Sequence, residues 1–415
     1  MRILTVLFPV LLLSSCSLAR FVTKNQANIT DHKIFPYTAI ATPETPFFFS
    51  EGDPASLKEL TFEKDGKQYS LDEYLKEETK TTGFLVIQND RILFEQYYQG
   101  YDATAISNIF SVSKSVTSLL VGLALEDGQI ASVDDPVTRY IPELNDADPG
   151  FKKLTIRHLL DMRSGLNFKE AYSNPFAHIA RLYYGTNQLS QIKGLTFTST
   201  PGTRHNYQSV STAILGIVVE KATGKPLGKY LEEKVWLPLG MENPATWSVD
   251  DKKHRSPKAY CCLNTTARDL AKIGRLYLRE GNWEGNQIIS KAWIRTSVTP
   301  NMTNGCYQNQ WYSAAGIISK DGKDLIFPDS LSAINAAHQQ GLAYCYVDKI
   351  TKEGSDWHIH FCGPDYYALG ILGQYLYVIP QQDLIIVRLG EKWDDNYVHI
   401  FNKIAATLRK ENRAQ

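Results

Sequence analysis

A serine and a lysine three residues apart carry the chemistry that this sequence suggests most directly. Ser111 and Lys114 stand at the head of an apolar run from Val116 to Leu125, which predicts that both begin a buried helix. Positions three apart share one face of a helix, so the hydroxyl and the amine would lie side by side. A neutral amine there could accept the serine proton, and the N–H groups at the helix start would favour negative charge on the attacking oxygen. The pattern therefore predicts Ser111 as a nucleophile that Lys114 activates.

A tyrosine ahead of a second apolar helix could complete this site. Tyr207 follows the turn at Pro201-Gly202 and precedes a helix predicted from Ser209 to Ala222. A lysine cation beside this phenol would stabilise its phenolate form, so either group could take the serine proton. The sequence leaves the choice of general base open. The alternative is that Tyr207, one of 23 tyrosines, only packs in the core.

These residues and three further segments resemble the serine β-lactamase-like superfamily, whose members include class C β-lactamases, D-amino-acid peptidases, family VIII esterases and 6-aminohexanoate-dimer hydrolases. The residues form two short motifs, Ser-x-x-Lys at Ser111–Lys114 and Tyr-x-Ser at Tyr207–Ser209. The further segments are turns or helix starts at His158–Leu166, Trp236–Met241 and Leu263–Leu270. The resemblance covers about residues 81–410. It implies an α/β fold of the α+β type, β-lactamase/transpeptidase-like, with an antiparallel sheet from both chain ends, flanking helices and an inserted, mainly helical lobe. It also implies a serine hydrolase that works through an acyl-serine intermediate.

The third motif of that superfamily departs from its usual form in this chain. The motif is Lys-Thr-Gly or His-x-Gly on the strand facing the serine, whereas the matching stretch, residues 366–374, holds neither Lys nor His. In β-lactamases and peptidases the basic residue helps to bind the substrate carboxylate, so its absence favours esters or linear amides over penicillins. Gly370 would let the strand approach the substrate closely. The resemblance places the oxyanion hole at the backbone N–H groups of Ser111 and Ile371, with Ala368 as the rival donor.

The substrate-binding wall is read from the same resemblance. Tyr183 and Tyr184 fall where the oligomer hydrolases carry a substrate-contacting tyrosine, and Ser209 is the last residue of the Tyr-x-Ser pair. Buried aromatic packing is the alternative for the two tyrosines. The expected partner is a small-molecule ester or amide.

An alternating His358, His360 and Cys362 would share one face of a strand, as metal ligands do. Three such residues do not define a metal site, and a solvated or packed strand is the favoured interpretation. The sequence therefore implies no metal and no organic cofactor.

The N-terminus predicts export. Arg2 precedes an apolar run from Ile3 to Leu13, which is too short to span a bilayer and is typical of a secretory signal. Leu13-Ser14-Ser15-Cys16 looks like a lipobox, which predicts residues 1–16 as a lipoprotein signal peptide and Cys16 as the lipidated residue that anchors the chain to a membrane. In such lipoproteins an Asp after the cysteine is associated with retention in the inner membrane, and this chain has Ser17 there. The sequence therefore favours the outer membrane of the cell envelope, with the enzyme facing the periplasm or the surface. The alternative is an ordinary signal peptide with a chance cysteine.

Composition and cysteine usage set further bounds. The chain has 415 residues, 43% of them hydrophobic, with 44 basic and 44 acidic side chains, so it can bury a core and gives no sign of a nucleic-acid partner. Residues 17–80 are predicted as a loosely packed spacer and extension, and residues 81–410 as the hydrolase domain.

Beyond Cys16 an odd number of cysteines remains, and the adjacent Cys261 and Cys262 cannot easily bond to each other without strain, so no pairing is assigned.

The sequence thus predicts an exported serine hydrolase that cleaves an ester or linear amide. One alternative is a class C-like β-lactamase or a D-Ala-D-Ala carboxypeptidase. The other is a surface lipoprotein that keeps the fold as a non-catalytic binding module. The oligomeric state stays open.

Overall fold

The computed structural model describes residues 27–53, 55–174, 176–301, 304–313, 344–349, 357–361, 363–393 and 397–414, together with positions 332 and 335. The predicted signal peptide, Cys16 and Cys362 lie outside the described residues, as does most of the insertion between 300 and 360. Across the described ranges, no helix has the length and apolar character that crossing a bilayer requires.

The strands follow the chain in this order: β1 Tyr37–Ile40, β2 Ser50–Glu51, β3 Thr61–Lys64, β4 Lys67–Ser70, β5 Thr81–Gln88, β6 Arg91–Tyr97, β7 Ser107–Asn108, β8 Ala245–Ser248, β9 Leu263–Thr265, β10 Asn282–Trp283, β11 Asn286–Gln287, β12 Tyr307–Gln308, β13 Trp311–Ser313, β14 Tyr344–Lys349, β15 Trp357–Phe361, β16 Tyr366–Gly370, β17 Gln374–Ile379 and β18 Leu384–Gly390.

The helices are α1 Ala55–Lys58, α2 Leu71–Glu73, α3 Val112–Glu126, α4 Ile156–Leu160, α5 His178–Tyr184, α6 Gln188–Lys193, α7 Ser209–Thr223, α8 Leu227–Leu231, α9 Ala267–Leu278, α10 Lys291–Val298 and α11 Tyr397–Ala414. Short 3-10 and π turns extend or connect several of them.

The main sheet joins strands from both ends of the chain, as the sequence predicts. Its order is β12-β13-β16-β17-β18-β5-β6-β2, and the C-terminal part of the chain joins the N-terminal part where β18 pairs with β5 in antiparallel register. Every residue of β5 is buried, because helices cover both faces of the sheet. Leu85 and Ile87 face the large core that contains α3, whereas Phe84 and Val86 face a second core with α11. Between β7 and β8 the described chain is helical or irregular, which is the predicted inserted lobe.

A second, smaller sheet connects the N-terminal segment to this lobe. Its order is β1-β8-β9-β7, and β7 immediately precedes the serine-bearing segment. Ile29, Phe35 and Ile40 are almost fully buried in the large core. The expectation that this extension packs loosely is therefore wrong for residues 29–40. Their apolar side chains and the β1–β8 pairing hold them to the lobe.

Candidate active site

The segment that presents Ser111 is held rigidly between β7 and α3. Phe110 takes a left-handed backbone conformation (φ 45°), and its N–H donates to Asn108 Oδ1 at 2.9 Å. Such conformations are uncommon for bulky residues and persist where the surroundings impose them. The helix that follows is buried from Val112 to Ala124, so it anchors the serine in the core. Ser111 itself remains partly exposed at the helix start.

Lys114 lies beside the serine, as the three-residue spacing predicts. Its side chain is 1% exposed, and Nζ donates to Ser111 Oγ at 2.7 Å and to the Tyr260 carbonyl oxygen at 2.9 Å. Both acceptors are neutral. Among the described residues no carboxylate forms an ion pair with this amine. The arrangement suits an amine that exchanges a proton with its serine.

Tyr207 is brought to the same place by the loop before α7. Its ring centroid lies 5.0 Å from Lys114 Nζ. The neighbouring residues fix the loop, because the Asn206 N–H donates to the Met162 carbonyl at 2.8 Å and Gln208 Nε2 donates to the Phe168 carbonyl at 3.0 Å. No hydrogen bond joins the Tyr207 hydroxyl to Ser111 or Lys114 within the described contacts. The three predicted groups therefore share one site, in which Lys114 contacts Ser111 directly and the Tyr207 ring lies beside the lysine.

The end of β16 lies against the serine segment from the other side. A Cβ on Gly370 would stand 2.5 Å from the Ile109 carbonyl oxygen, so only glycine allows this approach. Ile371 lines the same cavity as Ser111, whereas Ala368 is 1% exposed and belongs to the core. The oxyanion assignment to the Ser111 and Ile371 N–H groups remains a prediction that this placement supports.

A buried arginine holds the turn that carries Ile371. Arg388 Nη1 donates to the carbonyl oxygens of Leu372 at 2.6 Å and Gly373 at 2.7 Å. Both of these residues have a positive φ, so the turn is sharply bent. The arginine therefore fixes two carbonyl groups of the turn that follows Gly370.

The cavity at this site has a volume of about 490 Å³ and a largely apolar wall. It is lined by Ala27, Phe110, Ser111, Tyr172, Ser173, Ile179, Ala180, Tyr183, Tyr184, Ser209, Tyr260, Cys261, Ile371 and Leu372. The predicted Tyr183, Tyr184 and Ser209 are all among them. A cavity of this size with few polar groups is typical of small-molecule sites.

A carboxylate that sequence reasoning missed stands at this wall. Glu170 Oε1 accepts from Ser209 Oγ at 2.5 Å and from the Tyr172 hydroxyl at 2.6 Å, and Glu170 Oε2 accepts from the Ser209 N–H at 3.0 Å. Tyr172 is 49% exposed, and partial withdrawal from water together with the Glu170 charge raises the pKa of Tyr172. Glu170 and Tyr172 lie in an irregular loop, where no spacing rule marks them.

The N-terminal segment fixes a second tyrosine of the wall. The Tyr183 hydroxyl donates to Asp31 Oδ2 at 2.7 Å, and Asp31 is 4% exposed. Burial and the Asp31 carboxylate raise the pKa of Tyr183 well above its usual value, so this phenol stays neutral. No local pattern in the sequence relates two residues so far apart in the chain.

Cys261 and Cys262 form a disulfide with each other. The sequence assigned no pairing to these cysteines, because adjacent residues do not bond easily, and the bond here coincides with a left-handed conformation of Cys262 (φ 73°). Cys306 is also disulfide-bonded.

A group of potential metal ligands lies away from the cavity. In the described ranges, ligand atoms of Asp250, Asp251 and His254 lie within 4.8 Å of one another. Asp250 accepts from the backbone N–H of Gln188 at 3.1 Å and of Ser256 at 2.8 Å, so its carboxylate already organises the surrounding turns. Hydrogen bonding within the fold accounts for this cluster.

Comparisons with known proteins extend these observations. The Beta-lactamase family model matches residues 71–406. The 6-aminohexanoate-dimer hydrolase of Paenarthrobacter ureafaciens is 27% identical over 288 residues, which cover 63% of this chain and 72% of that protein. Esterase EstB of Burkholderia gladioli is 30% identical over 158 residues, which cover 35% of this chain and 40% of that protein. A solved structure from Bacillus anthracis, described as a candidate 6-aminohexanoate-dimer hydrolase, has a TM-score of 0.72 at 20% identity and covers 93% of this chain and 94% of its own.

Proposed function

Because this chain belongs to the Beta-lactamase family, whose relatives here are serine hydrolases, we propose that it cleaves an ester or linear amide through an acyl-serine on Ser111. The observation that carries the proposal is the 2.7 Å contact between Lys114 Nζ and Ser111 Oγ at the wall of a 490 Å³ cavity. A buried amine on a half-exposed hydroxyl is the arrangement that nucleophilic catalysis by serine requires.

In the proposed reaction, Ser111 Oγ attacks the substrate carbonyl carbon. Its proton passes to Lys114 or Tyr207 and then to the leaving alcohol or amine. The N–H groups of Ser111 and Ile371 would stabilise the oxyanion, and loss of one such donor typically lowers the rate by about 10²–10³. Water then attacks the acyl-serine along the same proton relay and releases the acid.

The wall of the cavity supports the substrate class. Its aromatic and aliphatic side chains suit an apolar acyl or alkyl chain. Residues 366–374 lack the Lys or His that family members use for a substrate carboxylate, which favours esters and linear amides over β-lactams. Two relatives carry the corresponding names, a hydrolase of a 6-aminohexanoate dimer and an esterase.

We also propose that the enzyme works in the cell envelope, anchored through lipidated Cys16. The disulfides at Cys261–Cys262 and Cys306 support this location, because such bonds persist in oxidising compartments. Metabolic labelling with an alkyne fatty acid should mark the wild-type chain and not the Cys16→Ser variant. Labelling that survives this substitution would contradict the anchor.

The enzymatic proposal is tested with p-nitrophenyl butyrate, a linear amide of 6-aminohexanoate and nitrocefin. We expect ester or amide turnover, and a loss of at least about 10³-fold in Ser111→Ala. Ser118→Ala is the matched control, since Ser118 is buried on the same helix and does not line the cavity. A fluorophosphonate probe should label Ser111 alone. Full activity of Ser111→Ala would refute the proposal, and turnover of nitrocefin alone would replace the substrate class with β-lactams.

A further inference from the structure

The disulfide between Cys261 and Cys262 lies next to the carbonyl group that holds the active-site lysine. Lys114 Nζ donates to the Tyr260 carbonyl oxygen at 2.9 Å, and Tyr260 directly precedes the disulfide in sequence. Cys261 also lines the cavity that contains Ser111. The bond is thus in a position to influence both the lysine and the substrate.

The chain around this bond is anchored on both sides. Before it, Trp247 Nε1 donates to the Lys258 carbonyl oxygen at 3.1 Å, and the same N–H is 3.2 Å from the carbonyl oxygen of Cys261, within the pair itself. After it, the Leu263 N–H donates to Ser113 Oγ at 3.1 Å, on the same helix as Lys114. Because both ends are fixed, the backbone angles between them decide where the Tyr260 carbonyl points.

One of those angles is unusual, and the disulfide limits it. Cys262 has a φ of 73°, a left-handed conformation that residues with a Cβ rarely adopt. A bond between adjacent side chains closes a small ring around the intervening peptide, so rotation at Cys262 is restricted. Cutting the bond removes this restriction, although the Cys262 carbonyl still accepts from the Ser248 N–H at 2.9 Å, and a return of Cys262 to negative φ would turn the Tyr260 carbonyl away from Lys114.

We propose that the Cys261–Cys262 disulfide is a positioning element for Lys114, and that its reduction by a dithiol slows the acylation of Ser111. This inference rests on the proposed function. In the reduction, a thiolate of the dithiol attacks one cysteine sulfur and displaces the other as a thiolate. The second thiol of the reagent then closes its own disulfide, so the protein gains two electrons and two protons and becomes a pair of thiols.

The cavity gives the reagent its route. Cys261 is 4% exposed and the exposed part faces the space that substrate would occupy. A group bound covalently to Ser111 should therefore slow reduction of the bond. This protection links the disulfide to the substrate site and would not arise from a bond that only supports the fold.

The first experiment treats the wild-type enzyme with dithiothreitol and follows thiol content by alkylation and mass spectrometry. We expect kcat to fall about 10- to 100-fold with a smaller change in KM, as displacement of a catalytic group does, and to recover on reoxidation. Prior labelling with the fluorophosphonate probe should slow reduction of Cys261–Cys262. An unchanged kcat in protein shown to be reduced at this pair would overturn the proposal. A loss that follows loss of far-ultraviolet circular dichroism would also overturn it.

Two double variants separate the backbone conformation from the sulfur atoms. Cys261→Ser with Cys262→Ser should have the low kcat of the reduced enzyme and no response to dithiothreitol, which also controls for reduction at Cys306. Cys261→Ser with Cys262→Gly should regain part of kcat, because glycine adopts positive φ readily. Equal kcat in the two variants would contradict the conformational argument.

The rate of fluorophosphonate labelling at Ser111 keeps this test distinct from the proposed function. If no ester or amide is turned over by the oxidised enzyme, the proposed function fails. Slower labelling after reduction would then still support the positioning role, and an unchanged labelling rate would refute it.

Discussion

Two buried lysines of this protein differ in what surrounds their amines. Lys272 in α9 is fully buried, and its Nζ lies 3.1 Å from Glu242 Oε1 and 3.4 Å from Asp269 Oδ1. Lys114 in α3 is equally buried, but its Nζ contacts the hydroxyl of Ser111 and the carbonyl of Tyr260. Buried charges in proteins are usually paired, as Lys272 is. The Lys114 amine instead contacts two uncharged oxygens, one of them on the proposed nucleophile, so burial alone does not distinguish a structural lysine from one proposed to act in catalysis.

The largest expected effect comes from removing the amine at the serine. Lys114→Met should lower kcat/KM for the best ester or amide by about 10²–10⁴, the range typical of a lost general base. The free energy of unfolding should change little, because no described carboxylate is left without its partner. Steady-state kinetics and urea unfolding measure the two quantities. Wild-type kcat/KM in Lys114→Met would show that activity does not need this amine, which would contradict the contrast drawn between the two lysines.

The same substitution at the other lysine should act on the fold. Lys272→Met leaves Asp269 and Glu242 buried without this cation, which typically costs about 3–5 kcal/mol of unfolding free energy. The kcat of the folded fraction, counted by fluorophosphonate titration, should match that of the wild type. A stable Lys272→Met variant with reduced kcat would show that Lys272 serves activity rather than stability, which would contradict the contrast between the two lysines.

A smaller effect should come from a buried carboxylate that lacks an ion-pair cation among the described residues. Burial raises the pKa of Glu220 from 4.5 to about 7, although its Oε1 accepts the Leu227 N–H at 2.8 Å. The folded state therefore holds a proton that the unfolded state releases between these pH values. Stability from this group is complete below pH 4.5 and is lost as pH rises to about 7.

Glu220→Gln removes this loss of stability with rising pH, because the amide does not ionise. Above pH 7 the variant should be more stable than the wild type by up to about 3 kcal/mol, and at pH 4.5 the two should be nearly equal. Urea unfolding across this pH range measures the difference. Glu233→Gln is the control, because Glu233 is 55% exposed and its pair with Lys225 is worth little. A stability gain that is equal at both pH values would contradict the buried-carboxylate explanation.

Local sequence rules predicted the parts of the site that lie on regular elements. The spacing of Ser111 and Lys114 fixes their shared helix face, and the turn before Ser209 delivers Tyr207. The pairing of strands from both chain ends also agrees with the predicted fold. Within the segment Leu263–Leu270, predicted as a turn or helix start, α9 begins only at Ala267 with Thr266 as its cap, because β9 extends through Thr265.

Contacts between distant or irregular segments could not be predicted. Glu170 contacts Ser209 from a loop without periodicity, and Asp31 contacts Tyr183 across a sequence separation of 152 residues. Such contacts depend on how layers stack, which no local spacing records. The bond between Cys261 and Cys262 occurs at a left-handed residue, and the pairing could not be assigned from the sequence because no local pattern marks such a conformation.

The hydrogen bond between Asp31 and Tyr183 has a consequence for how substrate specificity could change in evolution. A chain shortened to begin at residue 81 would retain Ser111, Lys114 and Tyr207. It would lack Ala27, which lines the cavity, and Asp31, whose carboxylate orients Tyr183 in the cavity wall. One residue of the cavity wall and the carboxylate that orients Tyr183 thus lie in a stretch that contains none of the three proposed catalytic residues. Exchange of residues 27–53 alone would offer natural or laboratory evolution a way to alter which acyl chains fit while Ser111, Lys114 and Tyr207 stay unchanged.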